Sequence, residues 1–214
     1  MNSYLKWNET TITGFSEENI NSLYNEGYAF GRPNKGYMNQ TRSMRIDLSK
    51  FELSSENRRV LRKTENLKLE IKDIPYSEYT WEIGKLAKDF YTKKFGDGTF
   101  SANKVKELLT TEHNFNKLFV YSTDEKETGY AICFESNEIF HYSYPFYNLD
   151  ADKNTGMSMM LHAIEYAKEQ NKKYIYLGSA QRPGDTYKLQ FKGLEWFDGE
   201  TWSEDLDELK NILK

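Results

Sequence analysis

The residues of this sequence best suited to chemistry are cationic and aromatic, and they fall in a few short stretches. In "SSENRRVLRK", residues 54–63, Arg58, Arg59, Arg62 and Lys63 occupy six consecutive positions' worth of chain. On a helix they would form a compact positive surface for phosphate oxygens, or simply a solvated charged face. Arg42 and Arg45 are read as the polar side of "RSMRIDL", extending that patch or pairing with surface acids. In "EIFHYSYPF", His141 titrates near neutrality and could accept an amine proton. Tyr142 and Tyr144 face the other way on a strand, so only one set can line a site. Gly156 opens a helix, whereas Gly178, Ser179 and Gln181 leave a strand at the edge where open sheets place ligands. Tyr187, Lys188 and Lys192 recur along a short helix that follows, with Asp185 as its cap rather than a base. Cys133, alone among 214 residues, sits in an apolar run and reads as core filler, not a nucleophile.

The elements that must position these groups follow from periodicity. "RSMRIDL" alternates with Met44, Ile46 and Leu48 on one face, predicting a strand. A short basic helix follows it, then a strand over 67–74. Ser77 is expected to cap a helix with Ile83, Leu86, Ala87 and Phe90 on one stripe; Ser101 is expected to cap another with Val105, Leu108 and Leu109 inward. "KLFVYS", "TGYAICF" and "EIFHYSYPF" are three antiparallel strands with turn-sized links. A helix over 153–170 buries Met157, Met160, Leu161, Ile164 and Ala167, and the strand "KKYIYLG" then returns parallel to its predecessor. A short helix over 185–191, an Asp-Gly hairpin in "LEWFDGETW" and a terminal helix over 203–213 complete the chain. Residues 1–40 read as loops around a helix near 17–24. The expected organisation is an amino-terminal region, 1–66, carrying the basic segment, and an α/β transferase domain, 67–214.

Composition narrows the classes. A net charge of −4 argues against a protein that coats nucleic acid with a uniformly basic surface, although the positive charge is concentrated between residues 32 and 63. With 15% aromatic residues, 16 of them Tyr and 13 Phe, an aromatic core is expected. One cysteine excludes an intramolecular disulfide and any multi-cysteine metal site, and fits a reducing compartment. No apolar run is long enough for a membrane span, and "MNSYLKWNETT" has no secretory pattern, so a cytoplasmic location is expected.

Two helices, three antiparallel strands, a helix, a parallel strand, a helix and a hairpin is an order that resembles the GNAT acyltransferase fold. The resemblance implies a mixed, mainly antiparallel sheet with one splayed parallel pair, helices on both faces and a small amino-terminal extension. In coenzyme A users of that fold the helix start is similar to Arg/Gln-x-x-Gly-x-Gly/Ala; the matching residues here, Lys153 to Ser158, keep only Gly156. A second resemblance is more specific. "SSENRRVLRKTEN" is similar to a basic segment of the arginyl-tRNA-protein transferase and bacterial leucyl-tRNA-protein transferase family. The stretch from Phe140 to Phe197, with its tyrosine-rich strand, glycine-bearing helix start, "YLG" strand end and "YK" stretch, looks like that family's carboxyl half.

The resemblance implies an enzyme that moves an amino acid from aminoacyl-tRNA to an amine, the amino terminus of a protein or peptide, with no further cofactor and no metal. It favours Tyr142 and Tyr144 over His141 as the lining residues, with Gln181 on ribose or ester oxygen. Gly156, Gly178, Ser179, Tyr187, Lys188 and Lys192 would hold the donor end, and Arg42, Arg45, Arg58, Arg59, Arg62 and Lys63 the tRNA. The family's amino-terminal cysteine cluster is absent, and Ser179 stands where it carries a tyrosine. The alternatives are a coenzyme A-dependent N-acyltransferase and a non-catalytic RNA- or peptide-binding module.

Overall fold

The alternation of Met44, Ile46 and Leu48 produces a strand, β4 (Ser43–Asp47), in the computed structural model, which describes residues 4–124 and 126–214. The chain divides into two units. One takes the residues up to Ser54, Ser136–His141 and Tyr166–Lys214, and the other takes Ser55–Glu135 and Tyr142–Glu165. Each is assembled from separated stretches, and strand β8 (Ile139–Tyr147) and helix α5 (Thr155–Glu169) contribute residues to both.

In the first unit β4 lies between β9 (Tyr174–Ser179) and β10 (Leu194–Phe197), antiparallel to each, and β11 (Trp202–Ser203) closes the far edge. The first residues of β8 pair with β9 in parallel, Ile139 opposite Tyr174 and His141 opposite Tyr176, as a strand reached through a helical crossover should. β4 is therefore central, and both its faces are covered. This corrects the reading of Arg45 as a surface cation: it is 6% exposed, bonds Glu195 through Nε at 2.8 Å and lies between the rings of Tyr174 and Trp202, 3.8 and 3.9 Å from their centroids.

The amino-terminal stretch departs from the expected loops. Helix α1 (Glu17–Asn25) is present, with Ser16 accepting the N–H of Asn19. Around it, β1 (Asn8–Thr11), β2 (Tyr28–Phe30) and β3 (Tyr37–Gln40) form an antiparallel sheet in the order β1-β3-β2. Strands of three or four residues with no apolar alternation leave no periodic trace in the sequence. They exist through pairing, as between Asn8 and Gln40, whose side chains also bond at 2.8 Å.

The second unit holds the rest of β8 beside β7 (Lys126–Glu135), β6 (Lys117–Thr123) and β5 (Lys68–Asp73), in that order, with β5, β6 and β7 antiparallel. Helices α2 (Ser55–Lys63), α3 (Trp81–Phe95) and α4 (Ala102–Thr110) and the first residues of α5 belong to it. Ser101 caps α4 as predicted, and Val105, Leu108 and Leu109 are fully buried. Ser77 does not cap α3. The helix starts at Trp81 after Thr80, and the Tyr79 hydroxyl lies back against Gly84. On α5, Met160, Leu161 and Ile164 are buried as their spacing requires, and Met159 joins them. Cys133 is enclosed, its thiol pushed up by burial. Back in the first unit, the short helix after β9 is a 3-10 helix (Pro183–Gln190), and the carboxyl-terminal α6 (Leu206–Ile212) is capped by Asp205. The fold is thus mixed α/β, mainly antiparallel with one parallel pair, as expected.

Arg45→Ala should cost about 3–5 kcal/mol, since it strands the Glu195 carboxylate in the interior. The double change Arg45→Met with Glu195→Leu should recover most of that loss. Urea midpoints of the three proteins measure this; a loss below about 1 kcal/mol in the single variant would mean the pair does not support the sheet.

Candidate active site

Helix α5 begins with an Asx turn. Asp152 Oδ1 accepts the N–H of Asn154 at 2.7 Å and its side-chain amide at the same distance, and these bonds hold the carboxyl below its usual range. The Thr155 N–H goes to Asp152 O and the Ser158 N–H to Asn154 O. The N–H groups of Gly156 and Met157 have no hydrogen-bond partner among the described residues. On a helix of 15 residues these donors carry the positive end of the macrodipole.

The Tyr147 ring covers this turn. A Cβ on Gly156 would stand 2.5 Å from its hydroxyl oxygen, and one on Gly129 of β7 would stand 2.8 Å from its Cβ. Two glycines therefore make the seat, and the Phe90 ring packs against the tyrosine at a tilt of 54°, with centroids 4.9 Å apart. Burial pushes the phenol up, so it remains a proton donor at neutral pH. Tyr147 was not among the tyrosines chosen from the sequence. Tyr142 and Tyr144, read as the lining pair, pack into the unit instead. Tyr142 is 2% exposed and lies beside Tyr121, whose hydroxyl donates to Met159 O at 2.8 Å. Tyr144 lies edge-on to Phe100 and Phe115. The signal that could have found Tyr147 is the pair of glycines, one before and one after it.

The basic helix is tied to this turn within the same unit. Thr64, just past the end of α2, and Ser158 are both buried, and their hydroxyls bond at 2.7 Å. Asn57 and Val60 face inward, which leaves Arg58 and Arg62, one turn apart, beside Ser55 and Leu61 around a cavity of about 460 Å³. Arg62 has no ion-pair partner among the described residues. Arg59 is spent on Glu56, bonded through Nε at 2.6 Å. The charge of Lys63 reaches Asp152 at the start of α5.

The remaining predicted residues lie in the first unit. β9 carries one residue more than β4 between the Ser43–Ser179 and Arg45–Tyr176 pairs, a bulge that Gly178 permits at φ +77. Lys188, 7% exposed, extends its Nζ to Ser179 O at 3.4 Å, and burial lowers its pKa. His141 is buried beside it. Its Nδ1 meets the Tyr24 hydroxyl at 2.8 Å, and that hydroxyl accepts the Phe30 N–H. Burial first, and then the Lys188 charge, lower the imidazole to about 3, so His141 is neutral, shares a hydrogen bond with Tyr24 and is a poor base for an amine. Gln181 is engaged at both ends of its amide, taking the Leu5 N–H at 2.9 Å and giving to Thr41 Oγ1 at 2.8 Å. Ser179 accepts from the Tyr4 hydroxyl. Asp185, expected at the start of this helix, lies at its third position and caps it from within, accepting the N–H groups of Gln181 and Arg182. Lys192 pairs with Glu52, Tyr187 is exposed, and Arg42 gives one Nη to Ala180 O while its buried Nε has no partner among the described residues.

Comparison with known proteins places this geometry in context. No family model matches the chain. It is 23% identical over 188 residues, 85% of its length, to the aspartate/glutamate leucyltransferase of Vibrio parahaemolyticus serotype O3:K6, of which it covers 79%. Among solved structures, it is similar to L-PGS from Bacillus licheniformis (15% identity, 76% of this chain and 50% of that one, TM-score 0.47). FemX matches at 10% identity over 76% of this chain and 60% of that one, also with a TM-score of 0.47. A DUF2156 carboxyl-terminal domain from Agrobacterium fabrum matches at 17% identity over 69% of this chain, with a TM-score of 0.49; this chain spans about half of it, 48%.

A histidine held at about 3 when folded and near 6.5 when unfolded binds its proton only in the unfolded chain between those values. Its contribution is intact above pH 6.5 and falls with pH toward 3. Between pH 6.5 and 5 it should remove about 2 kcal/mol. His141→Gln, which keeps a hydrogen-bonding partner for Tyr24 but cannot titrate, should flatten the decline in urea stability across that interval; an unchanged slope would place the titration elsewhere.

Proposed function

We propose that this protein transfers an aminoacyl group from the 3′ ester of an aminoacyl-tRNA to an amine, the amino terminus of a protein or peptide. The observation that carries the reading is the joining of two features in one unit: the open N–H pair of Gly156 and Met157 under Tyr147, and the arginine-bearing α2 bonded to the same turn through Thr64 and Ser158. Similarity to a leucyltransferase over most of the chain supports the class of reaction.

The ester is already activated, so alignment supplies much of the rate. The acceptor nitrogen attacks the ester carbonyl, the N–C bond forms, and negative charge gathers on the carbonyl oxygen. The two backbone N–H groups and the Tyr147 hydroxyl are suited to hold that charge. Collapse breaks the bond from carbon to the ribose 3′ oxygen, which takes up a proton as the nitrogen loses one. Arg58 and Arg62 would hold phosphates of the tRNA. Gly178, Ser179 and Lys188 of the first unit are retained as substrate-binding candidates.

The test supplies the protein with tRNA charged with labelled amino acids and a peptide mixture, and separately with labelled acetyl-coenzyme A. Label should reach peptide from tRNA; label arriving only from acetyl-coenzyme A would overturn the reading. Tyr147→Phe should lower kcat about 10²-fold with little change in KM. Arg58→Ala with Arg62→Ala should weaken tRNA binding and lower the slope of log K against log salt by about 1–2.

A further inference from the structure

A second cavity of the second unit, about 960 Å³, is lined by Tyr76, Tyr79, Trp81, Lys85, Lys88 and Lys106 from α3, α4 and the segment before them. It is a built surface. The Tyr79 hydroxyl occupies the place that a Cβ on Gly84 would need, and the same Cβ would stand 3.4 Å from Ala102 of α4. Glycine at 84 thus lets an aromatic ring lie where the two helices meet. Tyr76 is nearly buried beside it, with its backbone N–H on Leu109 O.

Trp81 does the opposite. As the first residue of α3 it is 67% exposed, and folding leaves its indole in water at the rim of the cavity. A lone exposed aromatic is ordinary on a protein surface, and what distinguishes this one is its place on the rim of a cavity that lysines also line. The charge around it is positive. Lys85 is paired with Asp89 at 2.6 Å, but Lys88 and Lys106 have no ion-pair partner among the described residues. Residues 81–110 carry six lysines against four acids, in a chain whose net charge is −4.

An open aromatic face beside unpaired ammonium groups is the pairing that holds a single strand of nucleic acid: the ring stacks on a base and the cations meet the backbone. An acidic peptide would use the lysines and leave the indole without a partner. We infer that this groove takes a single-stranded segment of RNA, with a base stacked on Trp81 and phosphates on Lys88 and Lys106. The inference rests on the reading above for the identity of that RNA as tRNA, and it adds a contact separate from α2 and from the first turn of α5.

The experiment titrates the full-length protein with single-stranded oligouridine of twelve nucleotides, a duplex of the same length and a polyglutamate peptide, following tryptophan emission. Trp81→Phe identifies the Trp81 part of the signal. Oligouridine should quench emission in the parent protein and not in Trp81→Phe. Affinity should fall about tenfold or more in Lys88→Glu with Lys106→Glu, and also as salt rises from 50 to 200 mM. All three positions are exposed, and near-ultraviolet circular dichroism checks that the variants stay folded. No Trp81-dependent quenching by the single strand overturns the inference, as does polyglutamate matching it with the same lysine dependence, or the duplex matching it. The failures are separable: a parent protein that binds oligouridine through Trp81 yet moves no aminoacyl group sinks only the transfer reading. One that transfers normally while Trp81 and the two lysines leave RNA binding unchanged sinks only this one.

Discussion

A helix cannot bond its own first N–H groups, and in this protein the start of α5 turns that deficit into a feature. The Asx turn at Asp152 and the carbonyls of Asp152 and Asn154 use the donors on either side, so the ones left are those of Gly156 and Met157. Glycine at 156 brings the Tyr147 hydroxyl against the same turn, and Gly129 makes room for the ring from the strand side. Two backbone donors and a phenol held protonated by burial thus belong to one turn, none of them charged. Such an arrangement favours an oxygen that becomes negative over one already ionised, because neutral donors lose less on desolvation than ions do.

Several polar groups that looked chemical are instead used to hold backbone in place. Gln181 bonds the amide of Leu5 and the hydroxyl of Thr41, and so ties the amino-terminal segment to the end of β9. His141 supports Tyr24, and Tyr24 in turn takes the N–H of Phe30. Arg45 is stacked and ion-paired in the middle of a sheet. In each case burial makes an unbonded polar group expensive, so the partners that satisfy it also fix the register of the elements they join. Lys188 differs, because among the described residues its one hydrogen bond is long for so buried an ammonium.

The placement of α2 shows how a modest contact can matter. One hydroxyl pair, Thr64 with Ser158, is worth little in stability. Its consequence is geometric: the end of a cationic helix is held at the beginning of α5, and Arg58 and Arg62 share a cavity wall. A transfer from an activated ester asks mainly for position and for a place to put transient charge, so a scaffold of this kind needs few reacting side chains.

What the chain determined locally was its regular elements. The 3.6-residue spacing of Val105, Leu108 and Leu109, the cap at Ser101, the alternation in β4 and the Asp-Gly turn at Asp198 each rest on neighbours close in sequence, and each was legible. The parallel return of β9 also followed, because a helix must bridge parallel strands. The three-stranded amino-terminal sheet was not legible, since strands of three and four residues owe their existence to pairing rather than to pattern. Nor was the start of α3, which lies four residues beyond the serine expected to cap it. For the site, the cluster on α2 and the glycine at 156 could be named from their types. Which tyrosine meets that glycine could not, because alternation along β8 says which side chains share a face but not which face meets α5. Only tertiary structure chose Tyr147, buried Tyr142, and turned Arg45 and Gln181 from candidate ligands into internal struts: burial and partner geometry are properties of residues far apart in the chain.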